Sequence, residues 1–343
     1  MNEQRIIRPY PGFIIPTRRF IDVGMPMPKM TMEGKYRIKK FLADDVRSDG
    51  TVRDQDIIQD TGWFPNILLD SGLNRWGTGS VLAGAAIGTD SSAPSAAQTG
   101  LLAQSHYTTT SGTGHGVTSA LGSSPYNNTY TVVYRTGVAA LNGNYYEVGA
   151  GWASGGNMLS RALVLNGGGS PTSISVSSAE QLDIVYQLSV YPPLVDTGPT
   201  TVTISGVNYD VTGRACNVNT TSGGSSGSWS PSAAAGAIAA VASFGGANNA
   251  YSGTLGAITS NGPSGTVTGN GAPSSNVYVN NSMQRTGYAT YGLSEGNVSG
   301  GIKSTRFWWT NLAVFQYEFN NVIPKDGTKT LVLNYSLNWA RRP

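Results

Sequence analysis

Apolar and polar side chains alternate along most of the chain after Thr129. The alternating segments include TYTVVYRTG, NYYEVGAGW, LSRALVL, TSISV and EQLDIVYQLSVY, and clusters of Gly, Asn, Ser and Pro separate them. A period of two indicates half-buried β-strands, and short strands with frequent turn signals are typical of antiparallel sandwiches. The sequence therefore predicts an all-β fold, an antiparallel β-sandwich of the jelly-roll or immunoglobulin-like kind.

Two long strands, one in each half of the chain, carry the same pattern. The segments LDIVYQLSVY and LVLNYSLNW each place a tyrosine, Tyr186 or Tyr335, at the centre of the apolar phase. This correspondence predicts two related β units, residues 61–195 and 196–343, that either stack or merge into one sandwich. Independent convergence of two strand patterns is the alternative.

Residues 33–60 show the pattern of a β-hairpin. Lys35–Phe41 and Val52–Ile58 flank the turn sequence Ser48-Asp49-Gly50, and the alternating charges of the flanking strands indicate one solvated face. We therefore expect a separate hairpin between the N-terminal segment and the first β unit.

One short helix is predicted after this hairpin. Pro65 stands where the first helical position would be, ahead of NILLDSGLNRWG, and Gly72 is placed to end the helix.

The first 32 residues predict an extended attachment arm. Five prolines and segments such as MPMPKM prevent a continuous helix or a central strand. Such an arm cannot bury its own apolar side chains, so we expect some of them to dock on a neighbouring subunit: Tyr10, Phe13, Phe20, Met25, Met27 and Met30. A disordered tail is the alternative.

Charge and glycine are distributed unevenly. Only 12% of residues are charged, and glycine occupies 45 positions, a composition unlike that of helical or disordered chains. Residues 1–60 hold 20 of the 41 charged residues, so the charged segment and the neutral β body are distinct. The net charge of +3 is small for this length, and we expect no nucleic-acid partner.

Membrane insertion and export by a signal peptide are not expected either. The most apolar run of small residues, 233–244, is too short to span a bilayer, and MNEQRIIRPYPGF lacks the apolar core of a signal peptide. A single cysteine, Cys216, excludes an intrachain disulfide and is expected to be a buried small hydrophobe.

Candidates for catalysis and metal binding are few. His106 and His115 lack further ligands at suitable spacing, so we expect no metal site and no cofactor. The segment 223–227 matches the G-x-S-x-G pattern only formally, because no histidine follows residue 115. Glu147 and Glu295 lie near glycines and either form a glycosidase pair or accept hydrogen bonds from backbone amides, and the structural role is favoured. We expect no catalytic residues.

Aromatic residues in Gly/Ser/Asn-rich surroundings are the best candidates for contact with a ligand. Trp152, Trp229 and Tyr251 are positioned for stacking on sugar rings, and core or intersubunit positions are the alternative. Two of them lie in or beside a long Gly/Ser/Thr/Asn-rich insertion, about residues 216–283, of the kind that serves recognition or assembly.

Several segments together resemble virion structural proteins of tailed bacteriophages. The first are GWFPNILLDSGLNRWG and AAIGTDSSAPSAAQTGLLAQ, which match a short helix, a GTG-type turn and an AP…QT-L segment near the start of those proteins. They are followed by YEVGAGW, LSRALVL and SPTSISVSSAEQLDIVYQLSVYPP, and by the C-terminal FQYEFNNVIPKDGTKTLVLNYSLNWAR. The resemblance runs from residue 33 to the end with gaps, and residues 197–283 have no counterpart in it.

The resemblance implies a non-enzymatic, tail-associated part of a virion, namely a baseplate, tail-tip or fibre subunit. Such a subunit is anchored by its N-terminal region, displays β loops outward and assembles in the host cytoplasm. Its partners would be other virion proteins and copies of itself, as a trimer or ring by analogy, with host surface glycan a further candidate. A collar or head-decoration protein is the alternative within virions. A host-glycan-binding module or a polysaccharide depolymerase is the alternative of another class.

Overall fold

The computed structural model describes Met25 and residues 28–113, 116–120 (backbone only), 124–219, 248–309 and 313–343. Over these residues the chain is mostly β with a single short α-helix, which confirms the predicted fold class. The elements are β1 (Lys29–Leu42), β2 (Ile57–Asp60), β3 (Phe64–Pro65), β4 (Ile67–Leu68), α1 (Asp70–Trp76), β5 (Gly84–Gly88), β6 (Gln104–Thr108), β7 (Gly116–Ala120), β8 (Asn127–Arg135), β9 (Gly143–Tyr145), β10 (Glu147–Ala153), β11 (Asn157–Leu163), β12 (Ile174–Val176), β13 (Glu180–Tyr191), β14 (Thr197–Ile204), β15 (Val207–Ala215), β16 (Asn248–Tyr251), β17 (Val267–Ser275), β18 (Gln284–Tyr291), β19 (Ile302–Trp309), β20 (Ala313–Ile323) and β21 (Leu331–Arg341).

Within the described residues, fourteen strands form one large sheet. Twelve of them follow the order β14-β15-β20-β19-β16-β17-β18-β21-β1-β13-β8-β7, and β2 and β3 pair with β1 outside this path. A second sheet has the order β4-β11-β10-β5-β6, and β9 pairs with β12. The large sheet has more strands than the roughly seven to nine of immunoglobulin-like and jelly-roll sandwiches.

Strand β1 joins the two halves of the chain. It pairs antiparallel with β13 from Thr31 to Leu42, and its first four residues, Lys29–Met32, pair in parallel with the end of β21. The two halves thus share one sheet, and β1 with β21 is a parallel pair in an otherwise antiparallel arrangement. The kinship of the two units stays a prediction.

The same strand corrects the predicted boundary of the arm. Residues 29–32 belong to β1, where Met30 and Met32 alternate into the core, and Met25 is also buried. Because the fold itself covers Met25 and Met30, these two side chains are not available to a neighbouring subunit. The other four predicted contact residues, Tyr10, Phe13, Phe20 and Met27, lie outside the described residues.

The second sheet packs against the inner face of the large sheet in the first half of the chain. The Tyr36 hydroxyl on β1 and the Ser160 hydroxyl on β11 lie 2.6 Å apart and share a hydrogen bond. The Tyr36 ring also contacts the Tyr186 ring on β13, with 4.8 Å between the ring centroids. Burial of these rings stabilises the packing of the two sheets.

In the second half the large sheet curls so that β21 faces β19 and β20. Tyr335 stacks on Phe307 with 3.8 Å between the ring centroids and lies 5.2 Å from the Tyr317 ring. The inward phase predicted for the two long strands is confirmed, because all ten of its side chains are buried: Leu182, Ile184, Tyr186, Leu188, Val190, Leu331, Leu333, Tyr335, Leu337 and Trp339.

The helix is displaced from its predicted position. Pro65 lies in β3 opposite Lys35, and the helix begins at Asp70. Gly72 lies inside the helix and does not end it. The position suits glycine because a Cβ there would lie 2.5 Å from the Cα of Leu159 on β11. No helix in the described part of the chain has the length and apolarity to cross a membrane.

Candidate ligand-binding cleft

The predicted hairpin forms a cover over one face of the sheet. β1 and β2 pair antiparallel near Lys39 and Phe41, but the second strand begins only at Ile57 because Asp54–Asp56 form a 3-10 turn. The connecting residues 43–56 therefore make a longer excursion than a tight hairpin would. They pass over the outer face of β1, β13 and β8, the face that points away from the second sheet.

One backbone carbonyl attaches this cover to the sheet. The Gly50 carbonyl oxygen accepts hydrogen bonds from Arg135 Nη1, at 2.7 Å, and from Thr113 Oγ1, at 3.3 Å. Gly50 has a φ of +78°, a backbone conformation that residues other than glycine adopt only at an energetic cost. The predicted turn at residues 48–50 is confirmed, with Asp49 accepting hydrogen bonds from the Thr51 amide and hydroxyl.

A cleft of about 300 Å³ lies between the cover and the sheet. This volume is at the lower end of the range for small-molecule sites. Its walls combine aromatic and aliphatic side chains with charged and hydroxyl groups: Arg37, Lys39, Phe41, Thr51, Val52, Ile57, Trp63, Thr113, Val133, Asp183 and Val185.

Two ion pairs organise the charges in and around the cleft. Arg135 Nε and Nη2 donate to both oxygens of Asp183, at 2.7 and 2.6 Å, and this pair is largely buried. Arg37 donates to both oxygens of Asp60 through Nε and Nη2. The hydrogen bonds from Arg37 lower the pKa of Asp60, and the same bonds raise the pKa of Arg37.

Trp63 is an exposed aromatic residue at this cleft, and the sequence patterns do not select it. Its side chain is 39% exposed, and Lys35 Nζ lies 5.0 Å from the ring centroid. The available signal was the run of cations at every second position of β1, which marks the solvated face. Trp63 comes to lie beside this face because the chain returns along β1 through β2.

The aromatic residues that the sequence favoured for glycan contact lie elsewhere. Tyr251 is 8% exposed in β16, a strand inside the large sheet, so the prediction that it is accessible is wrong. Trp152 is half-buried in β10, with the Arg75 guanidinium 5.8 Å from its ring centroid. Trp229 lies outside the described residues.

Glu147 is a structural residue. It is fully buried on β10, accepts hydrogen bonds from the backbone amides of Leu102 and Ala103, and pairs with Arg161 Nε at 2.7 Å. Glu295 lies in the segment between β18 and β19 and accepts a hydrogen bond from the Ser294 hydroxyl. The favoured reading of Glu147, as an acceptor for backbone amides, agrees with this geometry.

The structure describes two of the remaining candidates, His106 and Cys216. His106 is half-buried in β6, and burial lowers its pKa. Cys216 is buried as expected, and burial raises its thiol pKa to about 12. No group of three or more potential metal ligands occurs among the described residues, and His115 and the segment 223–227 lie outside them.

No protein-family model, no curated protein and no solved structure matches this chain.

Proposed function

We propose that this chain is a non-enzymatic structural component of a tailed-bacteriophage virion. Within the virion we propose a tail-associated subunit of the baseplate, tail tip or fibre, anchored by its N-terminal region and displaying β loops outward. The ordered set of sequence segments that resemble such proteins supports the proposal. A rigid β framework without disulfides suits a subunit that assembles in a reducing cytosol.

The position of β1 is the observation that carries the proposal. The residues upstream of β1 include Met25, whose amide donates to the Asn334 carbonyl on β21 at 3.2 Å. They lead directly into the strand that joins both halves of the fold. A partner that held these residues would therefore hold the centre of the sheet, and force on the anchor would be shared along a ladder of hydrogen bonds.

Two N-terminal deletions test this anchor. Deleting residues 1–24 keeps Met25 and every described contact of β1, so we expect a folded protein that does not enter particles. Deleting residues 1–32 also removes Met25, Met30 and the parallel pairing with β21, so we expect it to destabilise the fold itself. Mass spectrometry of purified particles measures incorporation. Normal occupancy by the protein lacking residues 1–24 would contradict N-terminal anchoring.

The other readings are separated by two measurements. Immunogold labelling of particles distinguishes the tail from the alternatives within virions, a collar or a head-decoration protein. For a polysaccharide depolymerase, Glu147→Gln and Glu295→Gln should abolish activity on host polysaccharide. The partners of Glu147 favour a glycan-binding module over a depolymerase, because Arg161 and two backbone amides already hold the carboxylate that hydrolysis would need.

A further inference from the structure

The cleft beneath residues 43–56 contains two cations that keep donors available for a ligand. Arg37, which pairs with Asp60, and Lys39 line it together with one carboxylate, Asp183, which pairs with Arg135. Lys39 Nζ lies 3.9 Å from Asp54, whose side chain is fully exposed, and Lys39 stands opposite Asp60 on β2, whose carboxylate is bonded to Arg37. Exposed pairs such as Lys39 with Asp54 contribute little, so the Lys39 ammonium keeps donors for an anion that enters the cleft.

The donors that remain suit one carboxylate. Asp60 occupies Nε and Nη2 of Arg37, which leaves Nη1 of this guanidinium for a ligand. One guanidinium N–H group and one ammonium group match the two oxygens of a single carboxylate better than the larger charge of a polyphosphate. The oxygens of Asp183, Thr51 and Thr113 are acceptors, which ring hydroxyl groups would satisfy.

The rest of the lining suits a ring with an apolar face. Trp63, Phe41, Val133 and Val185 form the aromatic and aliphatic part of the wall. The C–H face of a pyranose ring stacks on such a surface while its hydroxyl groups reach the polar side chains. A volume of about 300 Å³ limits the ligand to a monosaccharide or a short glycan end.

We propose that this cleft binds a carboxylated sugar residue of the uronic-acid class. The ring packs on Trp63, the carboxylate lies between Arg37 Nη1 and Lys39 Nζ, and ring hydroxyl groups donate to Asp183. The cleft is formed within one chain, so the proposal stands independently of the virion function. Its failure would leave the anchoring proposal untouched.

Saturation-transfer NMR on the full chain, with sodium glucuronate as the probe, tests the proposal. Glucose serves as the neutral analogue, and AMP serves as an anion that carries an aromatic base. We expect glucuronate to bind with an affinity of about 1 mM and at least roughly tenfold more tightly than glucose. Equal binding of glucose, tighter binding of AMP, or no binding of glucuronate at about 20 mM would overturn the proposal.

Variants connect this binding to the cleft. Trp63→Ala and Lys39→Gln should each weaken glucuronate binding by roughly tenfold, and Trp63→Phe should retain most of it. The matched controls are Trp152→Ala, a tryptophan outside the cleft, and Lys329→Gln, an exposed lysine paired with Asp326. Unchanged glucuronate affinity in both Trp63→Ala and Lys39→Gln would overturn the assignment to this cleft.

Discussion

Two outer faces of the large sheet are each covered by a connecting segment, and the two covers are held differently. Residues 43–56 cross β1, β13 and β8, whereas residues 252–264 cross β15, β20 and β19. In the second case side chains from several strands bond to the cover. Gln316 Oε1 accepts from the Gly256 amide at 2.8 Å, and Arg306 Nη1 donates to the Asn261 carbonyl at 2.7 Å.

The composition of the two covers explains the difference. Glycine lets residues 252–264 approach the sheet closely, since a Cβ on Gly262 would lie 3.0 Å from Arg306 Cδ on β19. The first cover, ADDVRSDGTVRDQD, is rich in charged side chains, and charges are costly to bury without partners. The first cover therefore does not pack closely on the sheet. Its Gly50 carbonyl is bonded to Arg135, and space is left above the sheet. A glycine-rich cover bonds closely to a polar face, whereas a charged cover leaves a cleft.

The largest expected effect comes from the arginine that holds the first cover. Arg135→Ala leaves the largely buried Asp183 without its partner and removes a hydrogen bond to Gly50. We expect a loss of about 3 kcal/mol in the free energy of unfolding, measured by urea denaturation. Arg214 is the matched control on the other face, with bonds to Asp196 and to the Gly256 carbonyl. The more exposed Asp196 should make Arg214→Ala cost less, and an equal or larger loss would contradict the comparison.

Replacement of Gln316 tests how residues 252–264 are held on the sheet. Its side chain is fully buried and bonds to both the amide and the carbonyl of Gly256. Gln316→Ala removes the acceptor of the Gly256 amide, whereas the carbonyl keeps its bond from Arg214. We expect a loss of about 2 kcal/mol and faster hydrogen exchange at the Gly256 amide. Gln187→Ala is the control on the open face, where the half-buried glutamine bonds only to Thr131 Oγ1 and the loss should stay below about 0.5 kcal/mol. Equal losses would contradict the role of Gln316 in holding residues 252–264.

The attachment point of the open cover gives a smaller effect. Gly50→Ala places a Cβ at a φ of +78° and 3.3 Å from Thr113 Cγ2. We expect a loss of about 1 kcal/mol and faster hydrogen exchange over residues 47–53. Gly167→Ala is the control, because that turn glycine has open space around its Cβ position and no positive φ. A Gly50→Ala protein as stable as the Gly167→Ala protein would show that Gly50 is not a strained anchor.

The strands with regular alternation were predictable from sequence, and the sheet order was not. Burial of Tyr186 and Tyr335 follows from the local period of two, which needs no knowledge of partners. The Gly/Ser/Asn-rich surroundings of Tyr251 favour an accessible position, yet its strand, β16, pairs with β17 on one side and with β19 on the other. Pairing between distant segments overrode the local signal there.

The cleft depends on the same long-range pairing. Its wall combines Arg37, Val133 and Val185 from three strands that lie side by side only in the folded sheet. Local patterns identified the solvated face of β1 and the turn at Gly50. They did not show that residues 43–56 return over this face or that Trp63 borders it. The solvated face and the turn were predictable because each lies within one segment, whereas the cleft was not because it forms between segments.

The smallest expected effect on stability is that of Asp60→Asn, which tests the role of Arg37 at the cleft. Arg37 lowers the pKa of Asp60, so this pair stabilises the fold above the unfolded carboxyl pKa of about 4 and stops contributing as the pH falls through the lower folded value. Asp60→Asn should therefore cost less than about 1 kcal/mol at pH 7, and this difference should vanish in an acid denaturation series once the pH lies below the lowered folded pKa. The same change frees Arg37, so glucuronate affinity should rise by roughly threefold. A residue with a purely structural role would lose stability without any gain in affinity, so unchanged or weaker binding would contradict the role of Arg37 in an anion site.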